Sequence, residues 1–189
     1  MMTNLSRLSL KRTTIGIITA LMGTFLGAVP VRAEINYNLL YHWQYQPNNV
    51  KMNLVNQNTS IRVVDDIRYD DPTLFDVYGL TTMYLYPNST YVTHIDVQME
   101  QGHEDSLTHE VGHCISNANH SLYWWCFRPE FVQIWLSERD CAYALMAHGH
   151  DDIREYFADA YDLYLRFPQI LKKLCPMTYN YMIVVLRNT

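Results

Sequence analysis

At 189 residues the chain has room for one domain with its own core, and no repeat or linker-like stretch marks off a second. All 19 acidic residues fall after Ala33, against ten of the 14 basic ones, which leaves the remainder of the chain at a formal charge near −9. Such an acidic surface excludes nucleic acid as a partner.

The first 33 residues read as a secretory signal. Arg7, Lys11 and Arg12 precede an apolar run over 14–29, and Pro30 with Val31-Arg32-Ala33 supplies a small-residue pattern for a cut after Ala33. The alternative, an uncleaved anchor, is disfavoured because the run is short for a span and ends in proline. The chain after Ala33 is therefore expected outside the cell, as a monomer with no stable membrane association.

Residues 34–47 are rich in Tyr, Asn and Gln and carry little signal. Pro47 opens a helix predicted over 48–56 with Val50, Met52, Leu54 and Val55 inward, and 60–67 is β-rich and runs into acidic turn residues. Two further strands, 79–86 and 90–98, flank the short turn Pro87-Asn88-Ser89. In the second, Tyr91, Thr93, Ile95 and Val97 alternate with Val92, His94, Asp96 and Gln98, so one face is drier.

The stretch 106–115 carries His109-Glu110-Val111-Gly112-His113, an H-E-x-x-H run. Leu107, Val111 and Ile115 recur every four positions and predict an amphipathic helix with one buried face. On that helix His109 and His113 lie one turn apart on the same side, where two imidazoles can grip one zinc ion. Glu110 stands beside them, placed to act on water rather than to bind the metal. Cys114 points about 100° round the helix from His113, which removes it as a further ligand.

Tyr123, Trp124, Trp125 and Phe127 make 120–129 too apolar for a free loop, so it should pack on the core. A helix, or a pair of helices, is predicted over 130–146. The next helix holds Arg154 to Tyr161, with Asp151 or Asp152 as its cap and Phe167-Pro168 at its end. Short helices over 168–174 and 177–187 close the chain. A small sheet followed by helices makes the fold class α+β.

A catalytic zinc takes three protein ligands and keeps one position open. The longer H-E-x-x-H-x-x-G-x-x-H pattern fails, because Ser116 and Asn119 stand where glycine and the third histidine belong and His120 is one residue late. A carboxylate from the later helix remains. Glu155 and Asp159 are one turn apart there, opposite a broad apolar surface of Tyr156, Phe157, Ala160, Leu163 and Tyr164. Burying that surface against the first helix would aim Glu155 at the metal and let Asp159 accept the outer N–H of His109 or His113.

The pair H-E-V-G-H (109–113) and E-Y-F-A-D-A-Y (155–161) resembles the anthrax lethal factor catalytic-domain-like metallopeptidases, which include the secreted Pro-Pro endopeptidases. Tyr78-Gly79-Leu80-Thr81 and the close Leu171-Lys172-Lys173-Leu174-Cys175-Pro176-Met177-Thr178-Tyr179 are similar too, so the resemblance spans roughly residues 50–189. It implies a compact zincin-like domain with a small mixed sheet, one zinc and endopeptidase activity. In zincins the strand before the metal helix lines the cleft, so an extended peptide is expected to pair along 90–98; His94 on that strand would line the cleft or face solvent, the second being the commoner case for a strand histidine. Two positions depart from the family. Ser116 replaces an acid three residues after the second histidine, and His148 replaces a tyrosine seven residues before the glutamate ligand. An imidazole N–H at His148 would stabilise the tetrahedral oxyanion as the tyrosine does, and so would Tyr143 one turn further back. His148 and His150 read equally as polar loop residues.

Cys114, Cys126, Cys141 and Cys175 all follow the signal, and an even count outside the cell predicts two disulfides of open connectivity. Two functions follow. One is a secreted zinc endopeptidase, a hydrolase of extracellular proteins. The other is an exported zinc-binding interaction or toxin-like protein on the same scaffold with little turnover, suggested by Ser116 and His148. The intact Glu110 favours the enzyme.

Overall fold

Ile61, Ile95 and Val97 line one side of a small sheet and are buried, so that side must be covered by something apolar. The cover is helical in the computed structural model, which describes residues 16–17, 37–64, 67, 78–85, 91–98, 106–117, 124–141, 143, 145–146 and 148–189. Strands β1 (Gly16–Ile17), β2 (Thr59–Val63), β3 (Gly79–Leu85) and β4 (Tyr91–Val97) lie in the order β1-β2-β4-β3. β4 runs parallel to β2 and antiparallel to β3, so the sheet is mixed. β1 is two residues from the segment read as a signal, paired antiparallel with Arg62 and Val63; a cut after Ala33 would remove it and open that edge of β2. The expected turn at 87–89 and the cut itself lie outside the described residues.

One expectation is overturned by this order. The strand predicted over 90–98 is interior, paired on both sides, and cannot also pair with a peptide. Its parallel union with β2 fills the side that a lone hairpin would leave open. The outer edge belongs to β3, with which no other strand pairs among the described residues. Gln98 donates its N–H to the Tyr78 carbonyl at 2.9 Å. The alternation of an antiparallel ladder then turns the N–H and C=O of Gly79, Thr81 and Met83 toward that edge.

Seven helices are described: α1 (Tyr37–Gln44), α2 (Asn48–Asn56), α3 (Ser106–Ser116), α4 (Pro129–Glu138), α5 (Ile153–Arg166), α6 (Pro168–Leu174) and α7 (Pro176–Arg187), with 3₁₀ turns at Trp125–Phe127 and His148–His150. α5 begins where Asp152 accepts the Arg154 N–H at 2.8 Å and stops before Pro168. α1 arises in a segment without sequence signal because it is held from outside. Buried Gln46, just past its end, accepts the Tyr161 hydroxyl at 2.6 Å and donates to Thr108 at 3.4 Å. α4 ends at Glu138, well short of the predicted 146. Glu138 turns inward, where its carboxylate accepts the N–H groups of Met177 (2.9 Å) and Thr178 (2.8 Å) in the first turn of α7. A buried acid spent on another helix's orphan donors marks the end of its own helix here.

All four thiols are free, so the expected disulfides are absent; Cys114, Cys126 and Cys175 are buried and Cys141 exposed. Burial pushes the Cys126 and Cys175 thiols up to about 11 each, leaving them as small hydrophobes. Trp125 is buried as expected of the aromatic segment, but Phe127 is exposed. Among the described residues no helix is long and apolar enough to cross a membrane.

α3 lies between the sheet and α5, burying Leu107, Val111, Cys114 and Ile115. α5 answers with Tyr156, Phe157, Ala158, Ala160 and Tyr161, all without solvent exposure. The two helices touch backbone to backbone at one point. A Cβ on Gly112 would lie 2.8 Å from the Ala158 Cα and 3.1 Å from its carbonyl oxygen. Gly112→Ala gains about 1 kcal/mol of helix propensity, but wedging a methyl into a backbone contact costs about 1–3 kcal/mol. The clash should win, and thermal unfolding of Gly112→Ala should show a lower Tm; a raised Tm would mean that the helices part freely.

Candidate metal centre and active site

The close approach of α3 and α5 sets the site. His109 and His113 project from one side of α3, one turn apart, and Glu155 opens the first turn of α5 facing them. His109 Nε2 lies 3.1 Å from Glu155 Oε2, and His113 Nε2 lies 3.6 Å from Glu155 Oε1. The three ligand atoms all fall within 4.8 Å of one another, the single such group among the described residues. Two imidazole nitrogens and one carboxylate oxygen converging on a point are a donor set for a metal ion. Asp159, one turn along α5, reaches the opposite nitrogen of His109: Nδ1 donates to Asp159 Oδ1 at 2.8 Å. That bond fixes the ring and turns Nε2 toward the shared point.

The electrostatics of the cluster express the same convergence. Burial works to lower the His109 pKa, but the bonds to Asp159 and Glu155 and the charge of Glu110 outweigh it and leave the ring well above its usual value. Glu155 is desolvated too, which alone would raise its pKa. The two imidazoles pull it well below the carboxylate range instead.

Glu110, next in sequence to His109, acts on that ring through its charge and is not itself one of the converging donors. It is 5% exposed and lies against β3, where its Oε2 accepts the Thr81 hydroxyl at 2.7 Å. A Cβ on Gly79 would overlap the Glu110 side chain, so the carboxylate holds this place in space that residue 79 leaves open. Sequence reasoning placed Tyr78-Gly79-Leu80-Thr81 in the chain but missed this contact. The signal available was a glycine opening a strand next to a helix.

Cys141, Tyr143 and Leu145 lie in turns, and a 3₁₀ turn over His148–His150 comes shortly before α5. His148 opens the 3₁₀ turn that packs on α5, and the Trp135 indole N–H secures that turn by donating to the Gly149 carbonyl at 3.0 Å. Tyr143 is 57% exposed, its ring edge-on to His150 at 5.1 Å. His150 is committed elsewhere, bonded to Asp151 at 2.7 Å and Asp140 at 2.9 Å. Ser116, the other departure noted in the sequence, is buried and accepts the Cys126 N–H at 3.3 Å. His94 sits on the sheet face opposite α3, with Ser60 Oγ 2.5 Å from its Nδ1 and Tyr84 beside it.

Among solved structures the fold is similar to that of the Pro-Pro endopeptidase PPEP-2 from Paenibacillus alvei, with a TM-score of 0.58 over 82% of this chain and 93% of that one at 19% sequence identity. Among curated proteins none matches. The family described as anthrax toxin lethal factor, N- and C-terminal domain, matches residues 28–184, a span that takes in strands β2 to β4, the helices α3 and α5 that carry the His-His-Glu cluster, and most of α7. The chain belongs to the anthrax toxin lethal factor domain family.

Proposed function

We propose that this protein is a secreted zinc endopeptidase acting on extracellular proteins, with His109, His113 and Glu155 as the ligands. The observation that carries the proposal is the convergence of those three donors within 4.8 Å, with Asp159 behind His109 and a glutamate next in sequence. Two imidazoles and one carboxylate suit zinc that keeps an open position. Once bound, zinc supplies Lewis acidity toward a substrate carbonyl and water.

The chain's own residues do the rest. Glu110 accepts a proton from the attacking water and returns it to the leaving amine. An extended peptide pairs with the outer edge of β3, where Gly79, Thr81 and Met83 present N–H and C=O groups. His148 or Tyr143, next to α5, donates to the developing oxyanion. Against the binding-protein alternative stands the intact Glu110, whose carboxylate accepts the Thr81 hydroxyl.

Export rests on the basic residues, apolar run and cleavage pattern of residues 7–33. The secreted protein should begin at Glu34, which mass spectrometry of culture supernatant reads directly; a chain retained with its leader intact would contradict export.

Glu155→Ala should lose bound zinc, whereas Glu110→Ala should keep about one zinc per chain and lose turnover by several orders of magnitude. Metal analysis, with cleavage of a peptide library that includes Pro-Pro bonds, distinguishes the two variants. Full zinc affinity in Glu155→Ala would show a misassigned ligand, and parental turnover in Glu110→Ala would show a misassigned base. A parental protein that binds zinc but cleaves nothing would favour the binding-protein alternative.

Loss of the oxyanion donor should cost roughly 10²–10³ in kcat with little change in KM. Because Tyr143 is largely exposed and leans on His150, His148→Ala should show that loss more than Tyr143→Phe. Kinetics indifferent to both substitutions would leave the donor elsewhere.

A further inference from the structure

The Tyr78-Gly79-Leu80-Thr81 segment is conspicuous in the sequence, yet the metal centre does not use it. In the fold it leads into and starts β3, the strand whose outer side pairs with no other strand among the described residues. Thr81 has two orientations of consequence there. Its backbone groups face the edge, while its side chain faces α3 and donates to Glu110 Oε2 at 2.7 Å. The same hydroxyl oxygen is 3.1 Å from the Glu110 carbonyl, so the side chain sits over the helix turn that carries the acid. Gly79, two residues earlier on the same face, leaves the space that Oε1 occupies.

Resting on the peptidase assignment above, we infer that Thr81 is a positioning residue for the general base. Its hydroxyl holds one carboxylate oxygen of Glu110 in a fixed place, from the strand against which the substrate backbone lies. A glutamate has three side-chain torsions and would otherwise sample several rotamers. One charge-assisted hydrogen bond from a strand residue selects among them. Because a strand places side chain and backbone of one residue at a fixed angle, the base and the docked peptide share a common reference.

Val is nearly the shape of Thr without the hydroxyl, and Ser keeps the hydroxyl without the methyl. Thr81→Val should lower kcat roughly 10–100-fold while KM and zinc content stay at the parental level. Thr81→Ser should recover most of that rate. In a Glu110→Ala background, Thr81→Val should add no further loss, because the group it positions is gone. Crystal structures of the zinc-loaded variants give a readout independent of turnover: the Glu110 carboxylate should leave its place in Thr81→Val and keep it in Thr81→Ser. The inference is overturned by parental kcat in Thr81→Val, by Thr81→Ser as slow as Thr81→Val, or by an unmoved Glu110. If the parental protein cleaves no peptide at all, the peptidase assignment falls and takes this role with it. If it cleaves and Thr81→Val cleaves equally fast, only the role of Thr81 falls.

Discussion

The contact of Gly112 with Ala158 is what the site depends on. Metal ligands on two helices can share one ion only if the helix axes come unusually close, since imidazole and carboxylate side chains are short. At this crossing no side chain stands between the backbones, and a Cβ on Gly112 would meet the Ala158 Cα at 2.8 Å. His109 and His113 lie on either side of Gly112 along α3, and Glu155 and Asp159 on either side of Ala158 along α5. The small residue on each helix thus sits inside the motif whose side chains it brings together. The x-G pair of the H-E-V-G-H run and the A of E-Y-F-A-D are therefore packing choices as much as spacers.

The sheet makes a second constraint of the same kind. β4 is central because β2 pairs with it in parallel, and so the catalytic side of the domain receives β3 as its edge. β3 then meets α3 through Thr81 and Gly79, at the carboxylate of Glu110. The strand whose outer side pairs with no other strand among the described residues is thus the one that touches the acid. An edge strand is normally a liability to be blunted; under the proposed function it is where an extended chain docks.

What the sequence made legible was mostly local. The four-residue spacing of Leu107, Val111 and Ile115 showed α3, and the same spacing put His109 beside His113 and Glu155 beside Asp159 without knowledge of the fold. Asp151 or Asp152 and then Pro168 bracketed α5 by capping and by a missing donor, and the cap is Asp152. What stayed hidden was set by partners distant in the chain. Nothing within 90–98 says that 59–63 will run alongside it in parallel, so its central place was invisible. Nothing within 130–146 says that Glu138 will cap a helix starting near residue 176, so the end of α4 is not legible there. Four cysteines after a leader-like segment suggested bridges, whereas the burial of Cys114, Cys126 and Cys175 as free thiols is a property of the packed core. The Thr81–Glu110 bond belongs to the same class, a side chain reaching across 29 positions.

The orientation of α5 about its own axis decides whether Glu155 and Asp159 face the histidines, and apolar packing alone would fix that angle only loosely, because a greasy face tolerates small rolls. Two buried polar networks remove the freedom. Next to Glu155, the Tyr156 hydroxyl meets Thr178 Oγ1 at 3.0 Å, and Thr178 is itself held by Glu138 at 2.8 Å, tying the first turn of α5 to α4 and α7. Beyond Asp159, the Tyr161 hydroxyl donates to Gln46 at 2.6 Å, and Gln46 reaches Thr108 on α3, next to His109. Burial raises the pKa of both phenols, so each stays a neutral donor. Rotating α5 would break hydrogen bonds in sites where water cannot replace them, at about 1–3 kcal/mol for each orphaned group. The direction of the two acids is therefore set by residues that never touch the metal centre, and the closing helices α6 and α7 gain a purpose beyond covering the core: α7 carries the threonine against which the first of those networks is braced.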